Sequence, residues 1–187
     1  HTISKTSVTL ATLPSAVRAL ATGPDSTHLV AVPDTGAPLV YDTDTARLLA
    51  TLEGHTGPVR AAVVTGQGVA LTLEASGLVR RWQLPPVPPA NLPVVVAQLQ
   101  ATEVWTGAAV PPGDTAAGLA ADATETVVGF VASGPWKRLQ SGQWQALEDQ
   151  AVDGLSAIAV SGGVVAAAHG DGTVRLREAL AGQQLAT

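Results

Sequence analysis

The sequence predicts an all-β chain built from four copies of one four-stranded antiparallel meander. Three observations predict it. Apolar runs of four to seven residues, rich in Val and Thr, recur along the chain. They are bounded by "TGP", "DTG", "TGQG", "ASG" and "HGDG", which reads as strands joined by tight turns rather than as helices. The spacing of these runs also repeats, and a fixed period decides the fold class before any single residue does.

The first copy runs from Val17 to Asp42, the second from Val59 to Gln83, the third from Ala116 to Gln140 and the fourth from Leu155 to Glu178. In each, a Gly stands five residues before the terminal position of the third strand: Gly36 before Tyr41, Gly77 before Trp82, Gly134 before Leu139 and Gly172 before Arg177. From the start of the first strand to that terminal position the distances are 24, 23, 23 and 22 residues. A Gly at one fixed turn place fits a position of positive φ, where a Cβ would clash. A fourth strand is expected in "ARLLATL" (46–52), "LPVVVAQLQ" (92–100), "GQWQAL" (142–147) and "GQQLAT" (182–187).

The copies start 42, 57 and 39 residues apart, and the extra length lies after Trp82. There "LPPVPPANLP" (84–93) reads as a stiff, polyproline-like connection at the edge between third and fourth strands. A proline-rich ligand for an aromatic groove is the alternative reading of "LPPVPP". The chain is thus expected to be one repeat array over 1–187, with units at 15–53, 54–101, 102–150 and 151–187, and "SVTLATL" (7–13) as an outer strand of a neighbouring unit.

Composition narrows the function classes. Hydrophobic residues make up 46% of the 187, enough for a packed core, and only 13% are charged, with 10 basic against 15 acidic side chains. Such a surface offers no cationic field for a phosphate backbone, so no nucleic-acid partner is expected. No apolar run approaches the roughly 18 residues of a membrane span, so no membrane partner is expected either. Without cysteine there is no disulfide, thiolate site or Cys nucleophile, and the compartment stays open, with the cytoplasm favoured. The Ala-, Gly- and Val-rich, Lys-poor composition fits a bacterial source of high GC content. His1 is not a translation start, so upstream residues are expected to have been removed. An N-terminal His can chelate copper only with a second His, and only His28, His55 and His169 are available; no metal and no cofactor are expected.

"LEGHTGPVRA" (52–61) and "DGTVRLREALAGQQLAT" (171–187) resemble the opening and closing stretches of WD repeats, the units of a β-propeller. The resemblance implies a β-propeller of four-stranded antiparallel blades, about four in this chain. In that family a His, a Ser or Thr, an Asp and a Trp form a buried tetrad within a blade. Carried over, the second unit has His55, Thr72 and Trp82, but Ser76 at the turn position of the Asp and Gln83 after the Trp. The first unit has Thr35 and Tyr41-Asp42, the third ends Leu139-Gln140, and the fourth keeps Asp171 but ends Arg177-Glu178. His55 is therefore expected to be structural, its ring pairing with a hydroxyl and the Trp82 indole N–H, rather than a catalytic base.

The resemblance further implies a non-catalytic interaction scaffold that binds a peptide or protein at its loops and channel entrance. Arg18 and Arg60 share one position in the first strands of two units, suited to a carboxylate or phosphate on a partner or, alternatively, to local ion pairs. Ala117 and Ser156 take that position in the other two. Trp105, Trp136 and Trp144 lie outside the family's Trp position and read either as partner contacts or as caps of the core. Five outer strands for four sets of inner ones point to further blades, from a second copy or another chain. A structural half-propeller that only completes such a ring is thus the second functional reading. A propeller-type hydrolase is the third, weakened because "VRALA", "VRAAV", "AAGLA" and "LSAIA" contain no Asp, Glu or His. The His169 and Asp171 pair has no nucleophile beside it.

Overall fold

The structure, a computed structural model, describes residues 9, 12–13, 15–66, 68–105, 116–122, 127–131, 137–140, 143–147, 155–178 and 184–186. Among them there is no helix, and the strands form four sheets. The first contains β1 (Val17–Thr22), β2 (His28–Pro33), β3 (Leu39–Asp42) and β4 (Leu48–Leu52). The second begins with β5 (Val59–Thr65), β6 (Val69–Glu74) and β7 (Val79–Gln83). Next come β8 (Ala97–Leu99), which joins the first sheet, and β9 (Glu103–Trp105), which completes the second. The third is β10 (Ala116–Ala121), β11 (Val127–Val131), β12 (Lys137–Gln140) and β13 (Gln143–Ala146). The fourth is β14 (Leu155–Ser161), β15 (Val164–His169), β16 (Val174–Glu178) and β17 (Gln184–Ala186).

Apart from the parallel β4–β8 pair, the neighbouring strands of each sheet are antiparallel, and the strands that begin the four sheets, β1, β5, β10 and β14, pack side by side in that order. The same irregularity marks all four of these strands. The register shifts between Val17 and Ala19, between Val59 and Ala61, between Ala116 and Gly118 and between Leu155 and Ala157. One extra residue per strand is left out of the ladder there: Arg18, Arg60, Ala117 and Ser156. The turn glycines Gly36, Gly77 and Gly172 have φ of 96°, 87° and 85°, which a Cβ would strain. Gly134 lies outside the described residues.

Stacked sheets must be apolar on both faces, and this accounts for strands that run apolar without alternation. Every residue of β6 is buried. One of its faces meets the first sheet, where Val30, Val32, Val40 and Leu52 pack with Val64, Ala70 and Trp82. The other meets the third, where Leu71, Leu73 and Val79 pack with Leu119 and Val127. Between the third and fourth sheets Val128 and Leu147 pack with Leu155, Val165 and Ala167.

One expectation needs correction. Residues 92–100 do not form the fourth strand of the second unit. Their strand β8 runs parallel to β4 instead, with Ala50 opposite Ala97 and Leu52 opposite Leu99, and β9 at 103–105 pairs with β7. The cause lies in what grips the proline-rich stretch. His28 Nε2 donates to the Pro85 carbonyl at 2.9 Å, and Arg47 donates to the carbonyls of Pro88 at 2.8 Å and Leu92 at 2.7 Å. These donors belong to the first sheet, so the stretch is drawn along its outside and the next extended residues fall beside β4. Proline carbonyls without a neighbouring backbone N–H are good acceptors for a fixed guanidinium fork. Arg47→Ala should therefore expose the 85–96 stretch to elastase, with cleavage at least several-fold faster, and cost about 1.5–3 kcal/mol of stability for the lost charged hydrogen bonds. Unchanged cleavage would count against this anchoring.

The 7–13 stretch, expected as an outer strand, falls largely outside the described residues.

Candidate functional site

The side chains singled out in the second unit meet at its border with the first sheet. His55 follows the left-handed Gly54 and turns back, so that its Nδ1–H donates to the Leu52 carbonyl at 3.1 Å. A carbonyl only accepts, so Nδ1 carries the proton and Nε2 is the acceptor. Nε2 lies 2.9 Å from the Thr72 hydroxyl, and the Trp82 indole N–H donates to the same hydroxyl oxygen at 2.9 Å. Thr72 and Trp82 are fully buried, and the His55 ring lies 5.0 Å from the Trp82 ring. Each polar atom has a partner only while the imidazole is neutral. Burial holds the His55 pKa below its ordinary value, and the nearby Glu74 charge only partly offsets this.

Glu74, at the end of β6, is a member the sequence reasoning missed. It is 0% exposed, and its carboxylate accepts from Arg80 Nε at 2.6 Å and from the Thr56 hydroxyl at 2.9 Å. Burial by itself would raise its pKa; the hydrogen bonds from Arg80 and Thr56, with the Arg80 charge, prevail and hold it below the usual value. The sequence reasoning looked for an acid at Ser76, on the turn. A signal was available in "VALTLE": an ionisable residue closing an otherwise apolar run, with Arg80 just beyond the four-residue turn.

Above this network the loops joining β2 to β3 and β4 to β5 enclose a cleft of about 430 Å³, lined among others by Asp34, Gly36, Glu53, His55, Pro58 and Val59. Arg18 and Arg60 stand at equivalent bulges, Arg60 next in the chain to Val59 of the cleft wall, but they are in different states. Arg18 Nη2 pairs with Asp34 at 2.7 Å, both side chains being more than a third exposed. Asp34 follows β2, and its N–H donates to the Ala16 carbonyl; the residue in the same place after β6 is Ala75, whose N–H donates to Pro58. Arg60 therefore has alanine where Arg18 has a carboxylate. It has no ion pair among the described residues, and its buried Nε has no acceptor.

The remaining candidates are not brought to this cleft. Trp105 and Trp144 are partly buried and pack against the core between the second and third sheets. Room for Trp144 comes from Gly129, where a Cβ would lie 2.9 Å from the Trp144 Cη2 atom. Trp136 lies outside the described residues. Asp171 is not a buried network member: it is exposed and accepts from the N–H of Thr173 at 2.9 Å and its hydroxyl at 2.7 Å, a self-contained turn. These bonds lower its pKa. His169 does not pair with it; that ring is buried and, among the described residues, neither nitrogen has a hydrogen-bond partner.

No protein family model matches the chain, and no curated protein matches it. Among solved structures it is similar to the computationally designed Ika4 protein, with 22% identity, a TM-score of 0.67, and coverage of 91% of this chain and 95% of that one. At this identity the likeness bears on the fold alone, an all-β arrangement of blade-like sheets.

Proposed function

We propose that the chain is a non-catalytic interaction module of the WD-repeat-like β-propeller type, its four sheets acting as blades. A peptide or protein partner binds at the cleft between the loops of the first two sheets. The observation that carries this reading is Arg60, which follows Val59 of the cleft wall and whose twin, Arg18, has a carboxylate that Arg60 lacks. A partner carboxylate, from an acidic side chain or a chain terminus, completes the pair. The non-catalytic part is supported by how the ionisable groups nearby are used: Glu74 is tied to Arg80 and Thr56, and His55 to Leu52 and Thr72.

The test is binding of a labelled peptide array in which acidic sequences are compared with their Asn and Gln counterparts. Arg60→Ala should weaken the acidic binders about 10- to 100-fold, the worth of one charged hydrogen-bonded contact, without loss of stability. Ala75→Asp should do the same by giving Arg60 the internal partner that Asp34 gives Arg18. Acidic binding that survives both substitutions would sink the proposal.

A second reading, a half-propeller whose role is to complete a larger ring, is favoured by one observation: among the described residues, the two end sheets each leave one apolar face without a sheet on it. Leu20 of β1 is 63% exposed and Val174 of β16 is 53% exposed.

A further inference from the structure

We infer that the outer faces of the first and fourth sheets are the two halves of one interface, and that a second copy of this chain fills it twice, closing a ring of eight sheets. This rests on the half-propeller reading and names the partner.

The argument is one of equivalent positions. Counting from the shared register shift, Leu20, Ala62, Leu119 and Ile158 occupy the same place in β1, β5, β10 and β14. In the later three sheets this residue packs on the preceding sheet. Ala62 and Leu119 are each 8% exposed, and Ile158 packs on the cluster that includes Val128. In the first sheet there is no preceding sheet, and Leu20 stands exposed. The residue just before it faces the following sheet and is always small: Ala19, Ala61, Gly118 and Ala157. Leu119 accordingly packs in one cluster with Ala61 and Val63. Each sheet thus offers a small-residue seat to the next, which inserts a side chain into it.

Along the chain three such seats are filled, and one seat and one insert are left over. The empty seat is on the fourth sheet, where Ala157 and Ala159 are exposed and Ala166 and Ala168 stand opposite Ala159 and Ala157 across β15. The unused insert is Leu20, which lines a hollow of about 450 Å³ with Leu29, Ala31 and Tyr41 of the same sheet and with residues of the stretch leading into β1, Thr12, Leu13 and Ser15 among them. The seat and insert residues themselves are uncharged, while Glu178, on the seat's side of β16 by register, lies at the end of that strand and is exposed.

Seat and insert do not meet within one chain: β1 and β14 do not pack on each other as β1 packs on β5, β5 on β10 and β10 on β14. Nor does a face suit its own twin, since two first sheets would set Leu20 against Leu20. The seat of one copy fits the insert of another, and two copies satisfy both contacts at once. Such a head-to-tail interface closes only when the rotation closes, which for two copies requires the four sheets of each to span half a turn.

Light scattering on a size-exclusion column, over a range of concentrations, should give the mass of two chains. Leu20→Lys and Ala157→Glu should each shift it to one chain, with dissociation constants at least about a hundredfold weaker, because each buries an unpaired charge in the interface. Both positions are exposed in the isolated chain, so thermal melting of the separated chains should be unchanged. Mixing the two variants should restore the two-chain mass, since one interface is then intact and the other holds a Lys–Glu pair. A dimer broken by Leu20→Lys but indifferent to Ala157→Glu would overturn the head-to-tail pairing. Assembly that survives both variants would overturn these faces while sparing a second copy as partner, and a single-chain mass at every concentration would overturn the second copy itself, leaving the half-propeller reading only with a different chain.

Discussion

Replacing Glu74 by leucine should lower the free energy of unfolding by about 3–5 kcal/mol, measured by urea titration, because it leaves the Arg80 guanidinium buried without its counter-ion. Glu74 is fully buried and the Arg80 side chain is 11% exposed, so water replaces little of what the carboxylate supplied. The pair itself is not what stabilises the sheet. Taking two charges out of water costs nearly what their attraction returns, and the double variant Glu74→Leu, Arg80→Met should therefore recover most of the loss. A single variant no less stable than the double would mean that Arg80 finds water or another acceptor.

The same pair gives the pH dependence its shape. The folded-state pKa of Glu74 lies below its ordinary value of 4.5, so its contribution is present above that pH and is lost as pH falls through the folded value. His55 acts at higher pH. Its folded pKa lies below the ordinary 6.5, so from there downward the unfolded chain takes up a proton that the folded chain resists, and stability declines. Acid sensitivity should thus come in two stages, and the double variant at Glu74 and Arg80 should weaken the lower one without abolishing it, since Asp42 and Asp171 also have lowered values. Chemical denaturation at stepped pH separates them.

These groups also mark where the sequence could be read and where it could not. The strand pattern was legible because the sheets repeat: turn glycines at a fixed distance from a strand end reveal the period whatever the intervening residues are. The chain His55–Thr72–Trp82 was legible only through the resemblance to WD repeats, whose tetrad puts a His, a hydroxyl and a Trp at the matching positions of the second unit. Glu74 was not, because its burial depends on the following hairpin turning Arg80 back onto it, a contact set by the turn rather than by strand periodicity. The path of β8 was hidden more deeply. It depends on Arg47 and His28, dozens of residues upstream, catching carbonyls of the proline-rich stretch. No local pattern in 92–100 distinguishes a strand that pairs with β7 from one that pairs with β4. The difference between Arg18 and Arg60 was likewise invisible until the structure aligned Asp34 with Ala75.

Trp82→Ala should cost about 3–5 kcal/mol, since the indole is wholly buried between the first two sheets and its removal leaves a cavity that close-packed strands cannot collapse around. How much of that is packing and how much the hydrogen-bond chain can be separated. Thr72→Val keeps the side-chain shape and removes only the oxygen, leaving both the indole N–H and His55 Nε2 unpaired, a loss of about 2–4 kcal/mol. Trp82→Phe keeps most of the bulk and removes only the donor. If the hydroxyl is the link between them, the double variant Thr72→Val, Trp82→Phe should be more stable than the sum of the two losses predicts, by about 1 kcal/mol or more. Strict additivity would mean that the Thr72 oxygen serves His55 alone and that the indole is held by packing.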